Sequence, residues 1–372
     1  MSDDIEQDDT FKLPAIQSRI IDASVAIEQE DPLEIIYQHS LFCQIALPRS
    51  RPEERVFERS YRDGLIRLEA GVLYDGHRMV EQPLPAGAKP RLALMHIHSA
   101  AVKTRCPVVE VDQSARQFMK RLGLNVDGGR DYGLFKREMK ALAACRMTLG
   151  FGGPAHPVTI DAKPIKRFEA WTSGDELQTV MWPGVVELSR EYFESLLEHA
   201  VPLDPRAVAS LAHSAMALDV YSFFARRLYS LQNPVKVTWH QFHAQFGQEY
   251  KNWRDFKKEF VPAARAALAL YLDAKVEPVT GGLLLKPSMP PIHAQSVAIS
   301  HGLAAQVSAS LPAPISKNLQ PATIERFRRL YPRLDPYACK DAFDSWLESK
   351  TPPRSYDKAF MGFAKKWVMG KF

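Results

Sequence analysis

The chain writes one short phrase twice. LFKREM occupies 134–139 and DFKKEF occupies 255–260, which sets Phe135 and Phe256 121 positions apart. In each, an aromatic is followed by two basic residues, an acidic one and an apolar one. The surroundings repeat too. In the first copy, PRLALMHIHSAAVKT reads as helix and PVVEV as strand. QSARQFMKRLG reads as a helix capped by Asp112, and NVDGGRDYG as a glycine-rich turn. LFKREMKALAACRM is again helical, and RMTLGF and PVTIDA are strands. In the second copy, PRAVASLAHSAMALDVYSFFARRLYSL reads as one long helix, VKVT as strand, WHQFHAQFG as helix and QEYKN as turn. WRDFKKEFVPAARAALALYL is a long helix, and AKVEPV and LLLKPS form a hairpin about a Gly-Gly turn. QFMKRLG aligns with QFHAQFG at the middle helix.

Helix, strand, helix, turn, helix, hairpin is the order of a winged helix, a helix-turn-helix pair followed by a two-stranded wing. Written twice, it predicts an α+β, mainly helical chain with two tandem winged-helix domains. The expected limits are 32–190 for the first domain and 191–287 for the second. Before them, residues 1–31 are an acidic tail read as flexible, in which RIIDASVAIEQE has the pattern of a short helix. RVFERSY and LIRLEAG flank RDG and predict a further hairpin, because Asp-Gly tolerates positive φ. Residues 288–322 are rich in Pro, Ala and Ser with little charge and read as a flexible linker. Residues 323–372 form a C-terminal helical unit, with Phe343, Trp346 and Leu347 on one face and Phe360, Phe363 and Trp367 on another.

Charge and cysteine usage narrow the function classes. The net charge of +5 is mild, but Asp3, Asp4, Glu6, Asp8 and Asp9 concentrate acid at the start and leave about +10 on the rest. An acidic tail on a basic body suits a nucleic-acid-binding protein. The opening MSDDIEQDDT has neither the basic nor the apolar stretch of a signal peptide, and no apolar run is long enough to span a membrane. Cys43, Cys106, Cys145 and Cys339 are scattered without metal-site spacing, which predicts free thiols and a cytoplasmic setting.

In a winged helix the third helix enters the major groove, with its basic face toward phosphates and base edges. On the first third helix Phe135, Met139 and Leu142 share an apolar face, with Lys136 and Lys140 on another and Arg137 beside them. Arg116, Lys120, Arg130, Lys136, Arg137, Lys140 and Arg146 are the expected DNA contacts of the first unit. His240, Arg254, Lys257, Lys258 and Arg265 are those of the second, where Phe256, Phe260 and Ala263 face the core. Pro262 lies inside that helix and predicts a kink or a restart, leaving 252–261 as the contact segment.

MHIH at 95–98 has the His-hydrophobic-His spacing of rolling-circle nicking enzymes. That chemistry needs both imidazoles on one side of a strand. Helical flanks place His96 and His98 about 200° apart instead, which rules out joint chelation and makes them structural residues. No GxxxxGK[ST], HExxH or GxGxxG is present, so no enzyme activity, metal or cofactor is expected.

The stretches IIYQHSLFCQIALP, PLPAGAKPRLALMHIHSAAVKT, FMKRLGL, FKREMKALAACRMTLGF, VPLDPRAVASLAHSAMALDVYSFFARRL and FGQEYKNWRDFKKEF together resemble the plasmid-encoded RepA family of replication initiators, over about residues 33–287. That resemblance implies a non-enzymatic protein that binds repeated duplex sites at a plasmid origin and helps open it for host replication proteins. Its implied partners are origin DNA, a host helicase or initiator protein and a second copy of the chain. A repressor using the same surfaces, with no replication role, and a nicking enzyme using His96 and His98 are the alternatives.

Overall fold

The computed structural model describes residues 15–292, apart from 63, 112–113, 125, 127, 152–157, 163–164 and 170–183. It also describes 319, 321–332, 334–347, 359–361 and 363–364. The chain divides into two compact units, residues 1–302 and 303–372.

The larger unit opens with α1 (Ala15–Gln29), β1 (Ile36–His39), the hairpin β2 (Val56–Tyr61) and β3 (Gly64–Glu69), and a short hairpin of β4 (Val72–Tyr74) and β5 (Met79–Glu81). The first repeated order follows: α2 (Ala88–Thr104), β6 (Val108–Val111), α3 (Ala115–Arg121), α4 (Gly129–Ala144), β7 (Arg146–Phe151) and β8 (Val158–Ala162). A connecting stretch holds β9 (Arg167–Glu169), β10 (Gly184–Glu187), α5 (Arg190–Glu198) and β11 (Ala200–Leu203). Then come α6 (Pro205–Leu211), α7 (Ala215–Tyr229), β12 (Val235–Thr238), α8 (Trp239–Phe246), α9 (Trp253–Ala269), β13 (Val276–Val279) and β14 (Gly282–Leu285). Mixed helices and antiparallel strands make the fold α+β, as the sequence pattern predicts.

Strand pairing separates the two copies. In the second, β12, β14 and β13 form one three-stranded antiparallel sheet, with Val237 opposite Leu283. Glycine is required at the join: a Cβ on Gly282 would lie 2.1 Å from the Val237 carbonyl oxygen, and Gly281 in the turn has φ of 82°. In the first copy, β6 pairs instead with β10, beside β9. The β7–β8 hairpin extends β2–β3 into a four-stranded sheet ordered β2-β3-β7-β8. The same order of elements is thus closed by different neighbours in the two copies.

Several local expectations are corrected. The long helix expected over 205–231 is two, α6 and α7, because the Ser214 hydroxyl accepts the Ala217 N–H and starts a new helix. The turn expected through 133 ends early, since α4 already begins at Gly129. The helix expected from Asp112 is capped by Ser114, whose hydroxyl accepts the Gln117 N–H at 3.2 Å; Asp112 lies outside the described residues. Pro262 causes no restart, as α9 runs from 253 to 269 with the proline ring at the surface. In the β2–β3 turn the positive φ belongs to Arg62, at 52°, rather than to Gly64.

One hydrophobic cluster runs through the larger unit, joining Phe118, Phe135 and Met139 of the first copy to Phe242, Phe256 and Phe260 of the second. All four cysteines are free, and only Cys106 is not fully buried. In the C-terminal unit, α10 (Pro321–Leu330) and α11 (Pro336–Leu347) are followed by helical residues at 359–361 and 363–364. Phe327, Cys339, Phe343, Phe360, Phe363 and Ala364 give this unit a core of its own. The side chains of Trp346, Leu347 and Trp367, assigned to its apolar faces, lie outside the described ones.

Candidate nucleic-acid interface

Helix α4 buries Phe135, Met139 and Leu142 completely, as their spacing requires. The Phe118 ring of α3 meets Phe135 edge-on at 5.9 Å and locks the two helices together. This packing turns the cations outward. Arg116 and Lys136 flank a single ring, their charged ends 5.2 Å and 5.4 Å from the centroid of Tyr132. The ring orients both cations without neutralising either. Lys120, Arg130 and Lys140 are exposed, and among the described residues no carboxylate pairs with them, with Arg116 or with Lys136. Arg137 differs, since its Nε lies 3.9 Å from the buried Glu138 carboxylate. Glu138 also binds the Arg51 guanidinium and accepts the Ala86 N–H at 2.9 Å. Arg146 stands exposed at the head of β7, so it belongs to the β7–β8 hairpin rather than to α4.

The second copy gathers its cations about two indoles. Thr238 and Gln241 form a reciprocal capping box at the start of α8, which fixes Trp239 and His240 in the first turn. Asn252 caps α9 by accepting the Arg254 and Asp255 N–H groups, each at 3.0 Å. The Lys257 ammonium sits 4.7 Å from the Trp239 ring centre, and the Arg254 guanidinium 5.5 Å from that of Trp253. The His240 ring is 5.4 Å from Trp253. His240, Arg254 and Lys257 therefore converge where the two helices begin. Lys258 does not share this state, being paired with Asp255 at 3.0 Å. Arg265 is exposed eleven residues beyond Arg254, about 16 Å along the helix, and lies outside the cluster.

Arginines that the sequence reading passed over hold the two copies together. Arg59 is completely buried and donates to the Ala46 carbonyl at 3.0 Å, Gln248 Oε1 at 3.2 Å and Glu249 Oε1 at 3.4 Å. Arg49 pairs with the same Glu249 at 2.7 Å and lies over the Tyr250 ring at 4.9 Å. The turn between α8 and α9 is thereby fastened to the segment flanking β2. Deeper in, Arg91 of α2 makes a two-pronged bridge to Asp219 of α7, at 2.7 Å and 2.8 Å. It also donates to the Leu47, Pro48 and Gly87 carbonyls. A lone charge inside the apolar runs PRLALM and AMALDVYSFF was the available signal, because charges are fully buried only when paired.

His96 and His98 both lie on α2, as the helical flanks require. His98 is fully buried with both ring nitrogens engaged, Nδ1 with Gln38 Oε1 at 2.8 Å and Nε2 with the Tyr192 hydroxyl at 2.7 Å. An amide oxygen only accepts, so Nδ1 carries the proton and Nε2 accepts from Tyr192. Burial holds the His98 pKa well below its ordinary value, and the His39 charge acts in the same direction. His96 packs edge-on against Phe118 at 5.1 Å. Among the described residues no three potential ligands gather to hold a metal, and no helix is long and apolar enough to cross a membrane.

Two crystal structures of domains 2 and 3 of RctB are distantly similar to this chain. The first, covering RctB residues 155–483, gives a TM-score of 0.42 at 10% identity, over 71% of this chain and 99% of that one. The second, of selenomethionine derivatives, gives 0.43 at 11% identity, over 68% and 99%. No curated protein matches the sequence. Residues 84–241, from the segment before α2 to the start of α8, match the family described as plasmid encoded RepA protein.

Proposed function

We propose that this protein is a non-enzymatic plasmid replication initiator. It binds repeated duplex sites at its origin through two winged-helix units, and so promotes opening and the recruitment of host replication proteins. The RepA family match supports the initiator role. The twice-repeated order of elements supports the winged-helix assignment, most directly in the second copy, where β12, β14 and β13 close one sheet beside α8 and α9. The observation that carries DNA binding is a set of cations without carboxylate partners among the described residues: Arg116, Lys120, Lys140 and Arg254 are exposed, and the partly exposed Lys136 and Lys257 stand at equivalent places on α4 and α9. Left unpaired, a lysine or arginine keeps its full attraction for phosphate. Arg137 and Lys258 are exposed, but each has a carboxylate neighbour, which weakens its pull on phosphate.

Affinity measured against salt tests this directly. With about six phosphates neutralised, log K against log salt should fall with a slope of about −5 on a duplex from the plasmid's own origin. A slope near zero would overturn DNA binding through these helices.

A further inference from the structure

The C-terminal unit lies outside the span of the family match and outside the two repeated copies. Residues 323–372 contain 11 Lys and Arg against 6 Asp and Glu, a net +5 that equals the charge of the whole chain. They also contain 10 of its aromatic residues. Six residues from three helical segments, Phe327 among them, build a separate core, so the unit is a folded body and not a charged tail. On α10, burial of Phe327 fixes the rotation of the helix. Arg326 and Arg329, three apart on one face, and Arg328 beside them are then all exposed. None has a carboxylate partner among the described residues, although Glu325 lies on the same helix. Lys340 by contrast is taken up by Asp344 at 2.6 Å. At the far end of the short turn that follows α10, Tyr337 is about half exposed, and its N–H is held by Asp335 at 3.1 Å. The exposed guanidiniums of α10 offer phosphate ligands, and the exposed Tyr337 ring offers a stacking face on the same unit.

We propose that the C-terminal unit is a third nucleic-acid-binding body, which uses Arg326, Arg328 and Arg329 to grip the phosphate backbone of DNA flanking the site held by the two repeated copies. It extends the DNA-binding function proposed above and rests on that reading only for the choice of neighbouring site. Being on the same chain, the unit meets flanking DNA at high effective concentration, so weak contacts become a measurable gain in affinity. Charge contact of this kind is independent of sequence.

The test compares the full chain with its R326A/R328A/R329A variant on two duplexes, one ending at the protected site and one carrying about 20 further base pairs on each side. All three positions are exposed, so the variant should fold, and circular dichroism checks that it does. On the longer duplex the unaltered chain should bind at least tenfold more tightly than the variant, with a salt slope steeper by about 2 to 3. On the short duplex the two should be within twofold of each other. Equal affinities and slopes on the longer duplex would overturn the proposal and leave an acidic protein surface as the occupant. Should the full chain find no specific duplex at all, residues 303–372 alone, which have their own core, still decide. Retention on random-sequence DNA in low salt, lost in the triple variant, would support the proposal, and no retention would overturn it.

Discussion

Two buried histidines couple the stability of the larger unit to acid. His39 accepts the Leu41 N–H at Nδ1, at 3.1 Å, so its proton sits on Nε2 and is donated to the Ser195 hydroxyl at 3.0 Å. Burial pushes its pKa down from 6.5 to about 3, and the nearby His199 adds to the shift. His98 shifts in the same direction. A histidine whose folded pKa is depressed contributes stability that is complete above the unfolded value of 6.5. That stability is lost as the pH falls through the window toward 3, since only the unfolded chain takes up the proton. At about 1.4 kcal/mol per pH unit, His39 alone should cost about 2 kcal/mol at pH 5 relative to pH 7.5. Urea melts at the two pH values check this, and H39Q should show a smaller loss. An unchanged pH dependence in H39Q would mean that His39 titrates normally in the folded protein. In MHIH the second imidazole is fully engaged, by Gln38 and Tyr192.

At the level of elements, the β12-β14-β13 sheet of the second copy depends on one missing side chain. With the Val237 carbonyl oxygen 2.1 Å from where a Cβ would stand, G282A must push β14 away from β12 or bend the strand. Overpacking against backbone should cost about 1–3 kcal/mol, seen as a shifted urea midpoint. G281A, whose cost is backbone strain in the turn, should lose about 1 kcal/mol, and a G282A protein as stable as the unaltered one would show that the strands are not so close. Most of these elements were legible in the sequence. Phe135, Met139 and Leu142, or Phe256, Phe260 and Ala263, recur at helical spacing, and the turn glycines punctuate the β13–β14 hairpin. What was not legible is non-local. Nothing in PVVEV says that β6 pairs with β10 across more than 70 residues, or that β7 joins the hairpin of β2 and β3. Ser214 reads as one more residue in a helical run, yet its hydroxyl caps α7. The candidate site was readable as a list of basic residues. Which of them are already committed, Arg137 to Glu138 and Lys258 to Asp255, was not, because a pairing distance has no sequence signature.

For the whole molecule, the buried bridges set how the two copies present themselves. Arg91–Asp219 joins α2 to α7, and Arg49 and Arg59 hold the α8–α9 turn through Glu249. Removing one partner of a buried pair leaves an uncompensated charge, a cost of about 3–5 kcal/mol, so the copies do not separate readily. Two basic surfaces held on one body should engage one duplex together, each at its own end of a single site. Hydroxyl-radical footprinting of origin DNA tests this most directly, comparing the unaltered protein with K136A/K140A and with R254A/K257A. The account predicts that the first pair loses protection at one end of the footprint and the second pair at the other. Each should weaken binding by at most a few kcal/mol, with the two effects close to additive. An R254A/K257A protein with an unchanged footprint and affinity would contradict it, and would leave the first copy as the sole reader of DNA.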